Sequence, residues 1–169
     1  MKVIISEEQL RLIIESENKR KLFRVPVDFL ITNTDAILNN YKKKGFDGII
    51  VDGTLYGSDL EYGYINEVLK NIVRVDGSLN VGVSYTLSSL YELEEVTGNL
   101  YMTSNERIES LDKLKYVGGS LILTRCKRLE SFGELKYVGG DLNIGLTPLA
   151  KLSDEKIRNQ IEIKGEIYR

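Results

Sequence analysis

Histidine and tryptophan are absent from this 169-residue chain, cysteine occurs once, and proline and methionine occur twice each. Each shortage removes a class of chemistry. Without histidine the chain lacks the commonest general base, the usual activator of a serine or cysteine nucleophile and the commonest metal ligand. A lone cysteine, Cys126, allows neither an intramolecular disulfide nor a cysteine cluster for zinc or iron–sulfur. No stretch approaches the roughly 20 apolar residues that a membrane-spanning helix needs. The 23 basic and 25 acidic residues leave a net charge of −2, with neither the basic excess of a nucleic-acid binder nor the acidic run of a solvating tail. Met1-Lys2-Val3-Ile4-Ile5 runs into Ser6-Glu7-Glu8 too soon for a signal peptide. The expectation is a cytoplasmic protein without catalytic residues, metal, cofactor or membrane contact, and with nucleic acid not its partner.

What the chain has in plenty is repetition. Val75-Asp76-Gly77-Ser78-Leu79, Val96-Thr97-Gly98-Asn99-Leu100, Val117-Gly118-Gly119-Ser120-Leu121 and Val138-Gly139-Gly140-Asp141-Leu142 recur every 21 residues. Further apolar columns keep the register: Val81, Met102, Leu123 and Ile144; Leu87, Ile108 and Leu129; Leu90, Leu111 and Phe132; Leu93, Leu114 and Leu135. An earlier copy, Val51-Asp52-Gly53-Thr54-Leu55, lies 24 residues before Val75, and a truncated one, Ile163-Lys164-Gly165-Glu166-Ile167, starts 25 residues after Val138.

Within each copy Gly-x-Leu-x-apolar alternates with period two, the mark of a short strand with one buried face, and the glycine before it is expected to supply a bend. One copy is too short to bury an apolar face alone. Stacking copies at about 4.8 Å pairs each strand in parallel with its neighbours and makes one continuous core.

Leu100-Tyr101-Met102-Thr103-Ser104-Asn105 and Leu121-Ile122-Leu123-Thr124-Arg125-Cys126 resemble the leucine-rich repeat segment L-x-L-x-x-N/C. The flanking Val-x-Gly-x-Leu and the later leucines are similar to the receptor L-domain branch, whose coils form β-solenoids with little helix. The resemblance covers residues 75 to 152 and implies a fold rather than an activity. Two departures stand out: Ser84 and Thr147 replace the Asn/Cys position, and Pro148 with a one-residue deletion disturbs the fourth coil. The opening ten residues and the short Val-Gly-Gly-x-Leu array also resemble small bacteriophage proteins.

The flanks are expected to cover the open ends of the array, where apolar side chains and strand edges would otherwise be exposed. Ser6 with Gln9 reads as a capping box for a helix over about residues 7 to 20, with Leu10, Ile13 and Ile14 as its apolar stripe. Phe29-Leu30-Ile31 reads as a strand or buried connection. A second helix follows, capped by Asn33, Thr34 or Asp35, facing Ile37, Leu38 and Tyr41 inward and stopped at Gly45 after Lys42-Lys43-Lys44. Near the other end, Ser153-Asp154-Glu155 starts a short helix through Ile157, and Ile161 to Tyr168 reads as one closing strand. The expected fold is therefore α+β: a leucine-rich-repeat-like parallel β-solenoid of 21-residue coils over residues 51–152, with a helical N-terminal capping module (1–50) and a short helix-strand cap (153–169).

Chemical readings of single residues fare poorly. Asp52 and Asp76 precede glycines, as turn residues do. Cys126 shares its column with Ser84, Asn105 and Thr147, which suits a side chain bonded to the backbone of a turn, and no neighbouring base activates it. Val-Gly-Gly leads into a strand rather than a helix, so it is no phosphate cradle. Lys42-Lys43-Lys44 and the Arg125, Lys127 and Arg128 cluster read as solvated faces.

More informative is the outward column of the strands that follow the glycines: Tyr56, Asn80, Tyr101, Ile122 and Asn143, flanked by Thr54, Ser78, Asn99, Ser120 and Asp141. Tyrosine and isoleucine among small polar residues suit a binding face, since tyrosine offers a large contact area at low entropic cost. Tyr116 and Tyr137, just before two glycine pairs, form a second stacked pair and are further candidates for partner binding, with stacking between copies as the alternative reading. The expected function is a non-enzymatic protein–protein interaction module, as a phage product one that binds or inhibits a host factor. A structural part of a virion or other assembly and a glycan-binding protein are the alternatives.

Overall fold

Each repeat makes two strands, not one, because the bend at the glycine separates a strand that precedes it from the strand that follows. The computed structural model describes residues 20–60, 64–82 and 86–169. In chain order the strands are β1 (Leu22–Pro26), β2 (Gly48–Asp52), β3 (Leu55–Tyr56), β4 (Ile72–Asp76), β5 (Leu79–Asn80), β6 (Glu95–Val96), β7 (Leu100–Tyr101), β8 (Tyr116–Val117), β9 (Leu121–Ile122), β10 (Tyr137–Val138), β11 (Leu142–Asn143), β12 (Glu162–Ile163) and β13 (Ile167–Tyr168). They sort into a seven-stranded sheet A, ordered β1-β2-β4-β6-β8-β10-β12, and a six-stranded sheet B, ordered β3-β5-β7-β9-β11-β13. All pairings are parallel, and neither sheet closes on itself, an arrangement compatible with a solenoid-like repeat.

The pairing follows the sequence repeat residue for residue. Val75 lies beside Val96, Val96 beside Val117 and Val117 beside Val138 in sheet A; Leu79, Leu100, Leu121 and Leu142 do the same in sheet B. The unequal outer copies keep register too, Val51 with Val75 and Val138 with Ile163. All these residues, and the columns headed by Val81, Leu87, Leu90 and Leu93, are buried in one core cluster. Leu22, Ile50 and Val73, alternating with the core residues of their strands, form a second small cluster.

The glycine column is required by close approach rather than by a bend. Of its members only Gly53 has a positive φ, 116°. The others lie against the preceding copy: a Cβ on Gly98 would come 2.5 Å from Ser78 Oγ, and one on Gly140 2.5 Å from Ser120 Oγ and 2.9 Å from its backbone nitrogen. The small polar residue after each glycine then ties the copies together. Ser78 Oγ accepts from Asn99 N at 3.0 Å, Asn99 Oδ1 from Ser120 N at 2.7 Å, Ser120 Oγ from Asp141 N at 3.0 Å and Asp141 Oδ1 from Glu166 N at 2.9 Å. A column that reads from sequence as the flank of a binding face is a structural ladder, satisfying backbone donors at the bend between the two sheets.

Among the described residues four short helices complete the fold: α1 (Val27–Thr32), α2 (Thr34–Asn40), α3 (Tyr64–Leu69) and α4 (Asp154–Arg158). Phe29-Leu30-Ile31, expected as a strand or connection, lies in α1, which starts directly after Pro26 and buries Leu30. The second expected helix is α2, burying Ile37 and followed by a 3-10 turn over Lys42–Lys44 that ends at left-handed Gly45. The expected helix over residues 7 to 20 lies outside the described residues but for its last position. In α4, Ser153 Oγ accepts from Lys156 N as the cap. Pro148 opens a 3-10 turn that buries Leu149. The single closing strand expected over Ile161 to Tyr168 is instead two, β12 on sheet A and β13 on sheet B. Arg158 donates to Ile163 O at 2.7 Å and Gly165 O at 2.9 Å. Those carbonyls correspond to Val138 O and Gly140 O, which accept from Lys164 N and Gly165 N, so the guanidinium bonds the acceptors that backbone donors use one copy earlier.

Charges bind the first strands to the array. Arg24 bridges Asp52 and Asp76, Arg74 also reaches Asp76, and Arg20 pairs with Glu94 at 2.8 Å, with Lys115 on the same carboxylate. Burial pushes the Asp76 and Glu94 carboxyls up, but hydrogen bonds and charge from these basic partners outweigh it and hold both below the usual carboxylate range. With folded values depressed, the stability they contribute is complete above the unfolded carboxylate values near pH 4 and is lost as pH falls through the lower folded ones. Thermal melting at stepped pH should therefore show a falling midpoint below about pH 4, reduced in Asp76→Asn. Identical acid profiles for parent and variant would contradict the assignment to Asp76.

Candidate functional site

Side chains alternate across a strand, so the burial of Leu79, Leu100, Leu121 and Leu142 forces the next residue of each strand outward. The register of sheet B sets Tyr56 beside Asn80, then Tyr101, Ile122, Asn143 and Tyr168. Five of these are the residues picked from sequence, and the structure brings them into one row. Tyr168 is the sixth; its signal was the truncated copy itself, since the residue after Ile167 holds the same position. Tyr56, Tyr101 and Tyr168 are 47%, 37% and 50% exposed, while Asn80, Ile122 and Asn143 are half-buried.

The two asparagines are fixed. Asn80 Oδ1 accepts from Gly82 N and Asn143 Oδ1 from Gly145 N, both at 3.1 Å. Beside the row, Thr124 Oγ1 donates to Thr103 Oγ1 at 3.4 Å. The outward positions of β5, β7 and β9 and their flanks are Ser78, Asn80, Gly82, Asn99, Tyr101, Thr103, Ser120, Ile122 and Thr124: none carries a charge.

Tyr116 and Tyr137 are placed elsewhere. They occupy adjacent strands of sheet A, not the sheet that carries the row, with ring centroids 4.9 Å apart and planes 4° from parallel. Each ring lies over the glycine two residues on: a Cβ on Gly118 would meet Tyr116 Cε1 at 3.2 Å, and one on Gly139 would meet Tyr137 Cε1 at 3.2 Å. Stacking between neighbouring copies contributes roughly 0.5–1.5 kcal/mol beyond area burial at this pair.

Several other reactive or charged groups are engaged in the fold. The buried Cys126 thiol donates to Met102 O at 2.8 Å; burial pushes its pKa up, against a smaller lowering by the Asn105 backbone. Such a thiol is a poor nucleophile. In the same column Thr147 Oγ1 donates to Ile144 O at 2.7 Å, and Asn105 Oδ1 accepts from Arg107 N at 3.4 Å; Ser84 lies outside the described residues. Lys127 pairs with Glu106 at 3.5 Å and Arg128 with Glu109, and Lys42 lies 5.7 Å from the centre of the Tyr41 ring. Among the described residues no three His, Cys, Asp or Glu side chains are grouped to hold a metal ion, and no helix is long and apolar enough to cross a membrane.

No protein-family model, curated protein or solved structure matches the chain. Its function has to be read from its own surfaces.

Proposed function

We propose that this chain is a non-enzymatic, cytoplasmic interaction protein, a leucine-rich-repeat-like β-solenoid of 21-residue coils that binds another protein through the outer face of sheet B. In this reading residues 51–152 form the coils, and residues 1–50 and 153–169 cap them. The observation that carries it is the outward row itself. Stacking requires the leucines beneath and the glycines and small polar residues beside it, but nothing in the packing requires Tyr56, Tyr101, Ile122 and Tyr168 to stand on that face. Exposed tyrosines on a regular sheet whose central strands, β5, β7 and β9, carry no charge supply the rigid contact area that concentrates binding energy.

The partner is obtained by retaining it on the immobilised full-length protein from native cells, then titrated calorimetrically. The double variant Tyr101→Ala with Ile122→Ala should lose about 2 kcal/mol or more, roughly 30-fold in affinity, without change in melting temperature. Lys43→Ala, on an exposed turn outside the row, should alter neither. Parental affinity in the double variant would remove the face from the interaction.

A further inference from the structure

We infer that the partner presents to this face an uncharged, extended polypeptide segment lying across the strands, with two of its backbone carbonyls held by Asn80 Nδ2 and Asn143 Nδ2. The inference rests on sheet B being the binding face and adds what that face recognises.

A backbone N–H can be accepted by the amide oxygen alone. The bonds from Gly82 N and Gly145 N therefore fix each asparagine with Oδ1 toward its own backbone and leave Nδ2 as a free donor. Neither Nδ2 has a partner among the described residues. The geometry is supported locally, since both glycines leave room for the amide: a Cβ on Gly82 would lie 3.3 Å from Asn80 Oδ1, and one on Gly145 3.3 Å from Asn143 Oδ1. The same five-residue pattern, polar-Leu-Asn-apolar-Gly, occurs as Ser78-Leu79-Asn80-Val81-Gly82 and Asp141-Leu142-Asn143-Ile144-Gly145. The two strands between them, β7 and β9, instead set Tyr101 and Ile122 in the row.

Two oriented donors thus flank an aromatic and an aliphatic side chain. They stand three strand spacings apart, about 14 Å at roughly 4.8 Å per strand. Four residues of extended chain cover nearly the same distance at about 3.4 Å each, and carbonyls i and i+4 share one edge of such a chain. A segment lying along the row would give those two carbonyls to the asparagines and place its intervening residues on Tyr101 and Ile122. Nothing on the central strands offers a counter-ion, so a charged residue buried there would be left unpaired, and uncharged segments are selected.

The test selects a random-peptide library on the full-length protein, and the enriched peptide is titrated against variants. Asn80→Asp and Asn143→Asp keep an acceptor for the glycine N–H but turn the outward donor into an oxygen; Asn80→Ser and Asn143→Ser keep an acceptor without adding charge. Circular dichroism checks the fold of all four. The expected result is peptides with an uncharged core around an apolar residue, affinity lost by roughly tenfold or more in both the Asp and Ser variants, and little change between low and high salt. Parental affinity in the asparagine variants, combined with loss in Tyr101→Ala with Ile122→Ala, would overturn the carbonyl clamp while leaving the face intact. Parental affinity in every variant would remove the face as well. Enrichment of charged, salt-sensitive peptides would overturn the proposal, and so would failure to enrich peptides alongside binding of an oligosaccharide array through the same row.

Discussion

Leu121→Asp is expected to leave no cooperatively folded protein. Leu121 is fully buried in β9, with Leu100 on one side and Leu142 on the other. Among the described residues no basic side chain is buried that could pair with a carboxylate there. Burying an unpaired charge costs several kcal/mol even after partial relaxation, against a total stability of about 5–15 kcal/mol for an ordinary domain. Each copy buries its apolar face only against its neighbours, so a defect in a central strand also removes the support for the strands on both sides. Circular dichroism and thermal melting should show loss of both signal and transition. A parent-like melt would mean that the strands do not depend on one another.

Gly119→Ala should have the second-largest effect, from a single added methyl group. Its Cβ would lie 3.0 Å from the Gly98 carbonyl carbon and against the side-chain oxygen of Asn99. That oxygen accepts from Ser120 N, so making room for the methyl breaks a rung of the ladder as well as forcing backbone apart. Overpacking of this kind costs about 1–3 kcal/mol, and the lost hydrogen bond adds about 1 kcal/mol. Gly45→Ala is a useful contrast: its φ of 79° strains an added Cβ, but no atom lies within 4 Å of it. Its cost should stay at roughly 1–2 kcal/mol. Urea unfolding of the two variants measures the difference; a smaller loss for Gly119→Ala would contradict the close-approach account.

Much of this fold was legible because stacking is strict. When Val75, Val96, Val117 and Val138 must lie side by side, the chain has to repeat the residue type at the same interval, and the interval is visible without any structure. Sheet A was missed for the converse reason. β8 is Tyr116–Val117, and alternation over two residues is no signal at all. Helix α1 was misread because Val25-Pro26-Val27 and the following Phe29-Leu30-Ile31 look like broken strand, whereas burial of Leu30 outweighs weak helix propensity. Helix α3 lies inside the longer 24-residue copy, where the register has no partner to compare. The links of Arg24 to Asp52 and Asp76 span 28 and 52 residues and have no local sign.

The outward row belongs to the legible part, since the register that buries Leu100 and Leu121 also exposes Tyr101 and Ile122. What the register could not separate was function from support. Ser78, Asn99, Ser120 and Asp141 looked like the rim of a surface and are rungs of a ladder. Tyr116 and Tyr137, a second stacked pair from sequence, do stack and lie on the other sheet. The recurring Asn-x-Gly at positions 80–82 and 143–145 was present in the sequence, but its meaning depends on which oxygen faces which backbone nitrogen.

Tyrosines on both sheets make the binding claim directly measurable by radical footprinting of the protein free and bound to its retained partner. Tyr56, Tyr101 and Tyr168 label one face and Tyr116 and Tyr137 the other, all within one molecule and one digest. The account predicts that Tyr101, with at least one of Tyr56 and Tyr168, is protected in the complex, while Tyr116 and Tyr137 are modified at the rate of the free protein. Protection of Tyr116 and Tyr137 with Tyr101 unprotected would contradict it.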